Sequence, residues 1–156
     1  MTQQAEVALY HLTTHTLQQV LPRILEKVYE GGMRALVVTD CQERLSSLNA
    51  SLWTYSPGAF LPHGMAGSGD KPVDNPIWLT LDTVNSNQAT VLVLTGGRSV
   101  DDLSGYTRCV DIFDGNDSTA LAAAHARRDH YRRNGHPVVY WRQSTKGTWD
   151  KVEENA

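Results

Sequence analysis

A mainly parallel β-sheet covered by helices on both sides is the architecture this sequence predicts, and three observations predict it. Short β-branched runs recur along the chain, and apolar residues at helical spacing lie between several of them. The segments follow in the order β-α-β-α-loop-β-β-β-α-β, and strands joined through helices pair in parallel. The length of 156 residues is that of one domain able to bury roughly two-thirds of its unfolded surface. The fold class is therefore α/β, a three-layer, Rossmann-like sandwich, in which ligands favour the carboxyl ends of the strands.

Each element has its own signal. Residues 7–12 read as a first strand. Residues 16–30 read as a helix, because Leu17, Val20, Leu21, Ile24, Leu25 and Val28 recur at a spacing of three or four. Pro22 removes an amide donor inside it, so the helix either kinks there or becomes regular near that residue. Gly31-Gly32 closes it. Residues 34–39 (RALVVT) read as a buried strand. Asp40 stands as the cap of a second helix, with Glu43 in capping-box position and Leu45, Leu48 and Leu52 on one face. Residues 54–76 contain Pro57, Pro62, Pro72 and Pro76 with Gly58, Gly64, Gly67 and Gly69, which makes a long loop of a kind that often carries function. Residues 77–81 and 90–95 read as strands with a turn at Asn85-Ser86-Asn87 between them. Residues 109–113 are a further strand. Residues 118–134 are a helix capped by Asp117 or Ser118 and stopped by Gly135. Residues 138–142 are the last strand. One domain thus spans residues 1–150, and residues 151–156 form a polar tail, frayed after Trp149.

Composition narrows the class. Hydrophobic residues at 40% and charged residues at 20% fit a globular chain rather than a disordered one. No apolar stretch approaches the roughly 20 residues of a membrane span, and no secretory signal is visible, so a cytoplasmic location is expected. Cys41 and Cys109 read as two buried thiols in a reducing compartment. The net charge of −3 gives no overall pull toward nucleic acid. It hides a gradient, however. Asp101, Asp102, Asp111, Asp114 and Asp117 face one Arg108, whereas Arg127, Arg128, Arg132, Arg133, Arg142 and Lys146 follow with one Asp129. A basic face on an acidic molecule is expected.

The usual catalytic signatures are weak. Gly96-Gly97-Arg98-Ser99 follows a strand, but neither GxxxxGK[ST] nor GxGxxG is present, and an ordinary strand-ending turn accounts for it. His125 and His130, five apart, do not converge on one helix face, so no metal or other cofactor is expected. Ser68 lies in the long loop outside any GxSxG elbow, and Cys41 at a helix start is the one nucleophile with a plausible local field. The helix at 118–134 is more informative. Leu121, Arg128 and Arg132 lie within about 20° of one line, with Ala124 and Tyr131 about 60–80° to one side and Arg127 just beyond. Arginines at a helix end offset the negative terminus. They also suit a carboxylate-bearing, partly apolar peptide, with Tyr131 supplying flat area.

The segment Leu52-Trp53-Thr54-Tyr55-Ser56-Pro57-Gly58-Ala59-Phe60-Leu61-Pro62-His63, followed by Ala66-Gly67-Ser68-Gly69, resembles the LW…F.PH segment and small turn of the chi subunits of bacterial DNA polymerase III. Tyr10-His11-Leu12, Gly32-Met33-Arg34-Ala35-Leu36-Val37, Cys109-Val110-Asp111-Ile112-Phe113 and the C-terminal pieces around Tyr140-Trp141-Arg142-Gln143 and Gly147-Thr148-Trp149 fall in the family's order. The resemblance implies a non-catalytic adaptor of the clamp-loader assembly. Its implied partners are the psi subunit and the acidic, phenylalanine-ending C-terminal tail of single-stranded DNA-binding protein, with no membrane and no strong direct nucleic-acid binding. For the tail site the resemblance carries over Trp53, Phe60, Arg127 and Arg132, while His125 and Arg128 stand where the family often has an arginine and an aromatic. The expectation is one site with Arg127, Arg128, Tyr131 and Arg132 on the charged side, Trp53 and Phe60 on the apolar side, and His125 contributing when charged, below about pH 6.5. The alternative is a Rossmann-like nucleotide-binding or hydrolytic enzyme using Gly96-Gly97 and Cys41.

Overall fold

A computed structural model describes residues 4–152. The elements are β1 (Glu6–Leu12), α1 (Leu17–Glu30), β2 (Ala35–Val38), α2 (Gln42–Thr54), β3 (Gly64–Met65), β4 (Ile77–Thr80), β5 (Val91–Leu94), β6 (Arg108–Asp114), α3 (Ser118–Arg133), β7 (Val138–Gln143) and β8 (Trp149–Val152). The strands form one sheet in the order β3-β4-β2-β5-β6-β1-β7-β8. Every pairing is parallel except β7 with β8. The three-layer α/β sandwich read from the sequence is the fold observed.

Topology decides which face each helix covers. The steps from β1 to β2 and from β2 to β3 move toward one edge of the sheet, and the step from β6 to β7 moves toward the other. Right-handed crossovers then put α1 and α2 on one face and α3 on the opposite face. The two cores follow that division. Leu25 of α1 and Leu48 and Leu52 of α2 pack with Val37, Leu79 and Val93. Ala124 and Tyr131 of α3 pack with Leu36, Leu92 and Phe113, joined by Leu103 and Tyr106 from the segment between β5 and β6. Alternate residues of each strand serve alternate faces, as a pleated sheet requires.

Several local expectations are corrected. Helix α1 runs through Pro22 as one helix and buries it. The proline lacks the amide that would reach the Gln18 carbonyl, so the loss is a single bond. Asp40 does not cap α2. Cys41 is the N-cap residue and makes no side-chain cap bond, while Asp40 pairs with Arg44 at 3.1 Å. A reciprocal cap bond occurs at α1 instead, where the Thr16 amide donates to Gln19 Oε1 at 2.9 Å. Cys41 is exposed rather than buried, whereas Cys109 is buried, and burial pushes its thiol pKa up.

The long loop contains the two-residue edge strand β3 and a 3-10 turn at Pro72–Asp74. Arg34 fastens it. Its Nε donates to the Asn87 carbonyl at 2.7 Å, and its Nη2 donates to the carbonyls of Val73 and Asn75 at 2.9 Å each. The expected turn residue Asn87 is fully buried, with Nδ2 donating to the Ala35 carbonyl at 3.0 Å. Residues 150–152, expected to fray, instead belong with Trp149 to an antiparallel edge strand. Residues 153–156 of the expected tail lie outside the described residues. Among the described residues no helix is long and apolar enough to cross a membrane.

Candidate functional site

Helix α3 carries the candidate basic residues. Asp117 starts it, its Oδ1 accepting the amides of Thr119 at 2.9 Å and Ala120 at 3.2 Å, which meets two of the donors that every helix start leaves open. The last turn holds His130, Arg132 and Arg133, where cations offset the negative end of the helix. Turning 100° per residue, Ala124, Arg127 and Tyr131 fall toward the sheet, and Arg128 and Arg132 fall on one flank.

Arg127 and Tyr131 have an internal partner. Arg127 donates through Nε to Asp111 Oδ2 at 2.7 Å and through Nη2 to Oδ1 at 3.0 Å, a two-pronged fork. The Tyr131 hydroxyl donates to the same Oδ2 at 3.0 Å. Asp111 is 1% exposed, on the α3 face of β6. Burial pushes the Asp111 carboxyl above its usual range, and the Arg127 fork and Tyr131 hydroxyl work against that push. Burial alone would lower the Arg127 pKa, but its bond to Asp111 raises it. These groups clamp α3 to the sheet.

Arg128 and Arg132 remain on the outer flank. Arg128 Nε lies 3.2 Å from Asp129 Oδ1 on an exposed carboxylate, and Arg132 is half-buried one turn further on. His125 turns toward the sheet, with Nε2 at 3.3 Å from the Tyr140 hydroxyl. The same hydroxyl lies 2.6 Å from His11 Nδ1. His11 has its pKa lowered by burial, and then by the Arg142 charge. Gly115 makes room for that imidazole, since a Cβ there would overlap the ring.

Trp53 and Phe60 lie elsewhere. Trp53 ends α2 and is 55% exposed, and Phe60 on the following loop is 68% exposed. Their rings are 6.1 Å apart, and Trp53 lies 4.6 Å from the His63 ring. His63 Nδ1 donates to the Leu61 carbonyl at 2.7 Å, which folds the loop under the two aromatics. Helix α2 packs over β3 and β4, and α3 over β6 and β7. About 20 Å of sheet separates them at roughly 4.8 Å per strand, and they are on opposite faces. The aromatic pair and the arginine flank are therefore two surfaces, not the single pocket expected from the sequence. Asp111 was missed, although an acid amid Cys109, Val110, Ile112 and Phe113 signals a buried partner.

The residues of the enzyme alternative do meet. Cys41, Gly96 and Gly97 line a crevice of about 750 Å3 at the carboxyl ends of the strands, where the crossovers of β1 and β6 diverge. The same crevice is lined by Asp114 and Asp117, and the Asp40 carboxylate packs against Gly96 so closely that a Cβ would lie 2.5 Å from it. Its cations, Arg44 and Arg127, are already paired with Asp40 and Asp111, so a phosphate there would compete with carboxylates.

The fold and these surfaces define a three-layer α/β domain that carries an exposed aromatic pair and a half-buried arginine flank on opposite faces of its sheet. Residues 4–139 match the model of the family described as DNA polymerase III chi subunit, HolC, and the chain belongs to that family. It is similar to the probable DNA polymerase III subunit chi of Rickettsia prowazekii, with 27% identity over 108 residues, 69% of this chain and 65% of that relative. It is also similar to the DNA polymerase III subunit chi of Pseudomonas aeruginosa, with 24% identity over 120 residues, 77% of this chain and 82% of that one. The chain thus spans just under two-thirds of the length of the first of these relatives. Membership makes it a DNA replication protein, an accessory subunit by name.

Proposed function

We propose that this chain is a non-catalytic adaptor in the cytoplasmic clamp-loader assembly of DNA polymerase III, joining the psi subunit to the C-terminal tail of single-stranded DNA-binding protein. The observation that carries the reading is the separation of an arginine flank from an exposed aromatic pair, on opposite faces and about 20 Å apart. An adaptor needs two surfaces that can be filled together.

The acidic tail is assigned to the flank of α3. Arg128 and Arg132 offer charge-assisted bonds to its carboxylates, and Leu121, beside them on the helix, offers apolar area for its terminal ring. Arg127 and Tyr131 act from beneath, by holding the helix in register. Trp53 and Phe60 are assigned to psi, because large exposed aromatics are the usual energetic centre of a protein interface. His125 borders the tail site through its contact with Tyr140.

The test is a calorimetric titration with an acidic peptide ending in proline-phenylalanine, run beside one with purified psi. Arg132→Ala should weaken the peptide alone, and Trp53→Ala should weaken psi alone. Loss of both partners with either variant, or of neither with both, would refute the assignment.

A further inference from the structure

Beyond α1, the face of the sheet that carries α1 and α2 opens into a groove of about 690 Å3. Its floor is built by three neighbouring strands. Tyr10 of β1 pairs with Trp141 of β7, and Gln143 of β7 pairs with Trp149 of β8, so three aromatic rings share one face. Tyr10 and Trp149 meet edge to face at 5.0 Å. Helix α1 forms one wall, with Val20 and Ile24 below and the exposed Arg23 and Lys27 one turn apart above. Arg108 closes the far end, its Nη2 donating to the Tyr10 hydroxyl at 3.4 Å.

No aspartate or glutamate is among the described residues that line this groove. Glu26 of α1 accepts the Tyr55 hydroxyl at 2.7 Å. Lys151 pairs with Trp141 across β7 and β8, and directly opposed residues share a face, which brings a further cation to the rim. Glu6 stands opposite Arg108 in the β1–β6 register and brings one carboxylate beside that cation, yet Arg23, Lys27, Arg108 and Lys151 leave the groove net positive on a chain of net charge −3.

We propose that this groove is a low-affinity seat for single-stranded nucleic acid. Arg23, Lys27 and Arg108 hold phosphates, and bases stack over the floor of Tyr10, Trp141 and Trp149. An acidic peptide would answer the cations as well. Three rings on three adjacent strands instead suit successive planar bases, and a cationic groove with stacking platforms is how single strands are held without sequence preference. The volume falls in the range of about 300–1,000 Å3 typical of sites for ligands with a few rings. The inference stands apart from the adaptor reading, since neither α3 nor Trp53 takes part.

The test is fluorescence anisotropy with a short labelled oligothymidine and the full chain. Binding should be weaker than micromolar at physiological salt. Its logarithm should fall against log salt with a slope of about −2, from three phosphates at roughly 0.7 each. Trp141→Ala should weaken it roughly 5- to 150-fold. Lys27→Glu, on an exposed helix position that leaves the fold intact, should weaken it about tenfold or more. Arg132→Ala should bind the oligonucleotide like the wild type. The proposal fails if no saturable binding occurs, or if Lys27→Glu and Arg23→Ala bind unchanged. It also fails if an acidic peptide displaces the oligonucleotide and depends on the same residues, which would make the groove a peptide seat.

Discussion

The half-buried arginine flank of α3 and the exposed aromatic pair of residues 53–60 are held in different ways. Arg128 and Arg132 ride on a helix locked from below by Arg127 and Tyr131, both bonded to the Asp111 carboxylate at 3.0 Å or less. Trp53 sits in the last turn of α2, and Phe60 rests on the following loop, held by an imidazole–carbonyl bond at His63 and by the buried Leu61. A charged surface needs its cations aimed at a fixed ligand geometry, and here a buried ion pair fixes the aim. An apolar surface tolerates small shifts, and a short turn suffices. Damage to the clamp beneath the first surface should therefore appear in folding stability, and damage to the outward residues of either surface in binding.

The sharpest break of that comparison is Arg127→Ala. It leaves the Asp111 carboxylate buried without its counter-charge and should cost about 3–5 kcal/mol in urea unfolding. Arg128→Ala, one residue away, removes a pair with the exposed Asp129 carboxylate and should cost no more than about 1 kcal/mol. Equal effects would erase the distinction between anchor and surface. Next in size, Trp53→Ala should weaken psi binding by about 2–4 kcal/mol with little change in unfolding, as a central interface tryptophan does. Arg128→Ala or Arg132→Ala should weaken the acidic peptide by about 1–3 kcal/mol, the range for bonds to charged groups. Added salt should weaken wild type more than Arg128→Ala, which has less attraction left to screen.

The smallest effect is in pH. Folding holds His11 neutral, by burial first and by the Arg142 charge second. Below the unfolded pKa of about 6.5 the unfolded chain then binds more protons, so stability is present above that range and declines as pH falls through it. His11→Gln should flatten this decline in unfolding midpoints measured between about pH 7.5 and 5.5. An unchanged slope would show that other groups cause it.

Local pattern reveals what is local. The β-branched runs at Ala35–Val38 and Val91–Leu94 and the 3–4 spacing along α1 place strands and helix within a residue or two, because both reflect burial on one face. Strand β8 escaped notice because Trp149, Asp150, Lys151 and Val152 form an exposed edge with mixed polarity. The face assignment was harder. Trp53 and Arg132 read as one site because each is an attractive binding residue, and nothing near either says which way its crossover turns. That direction is set by the strand order, which residues far apart decide together. The partner of Arg127 was hidden for the same reason, being 16 residues upstream on another element.

The clamp beneath α3 also constrains how this sequence can change over generations. Asp111, Arg127 and Tyr131 are separate positions in the chain, but each one's chemistry makes sense only with the others present. Losing any one strands a polar group in the core, so single steps away are closed, whereas a joint exchange to apolar residues of similar volume would be nearly neutral or even favourable. Descendants should therefore keep the trio whole or replace it whole. Arg128, whose ion pair is with an exposed carboxylate rather than one sealed in the core, can change by single steps.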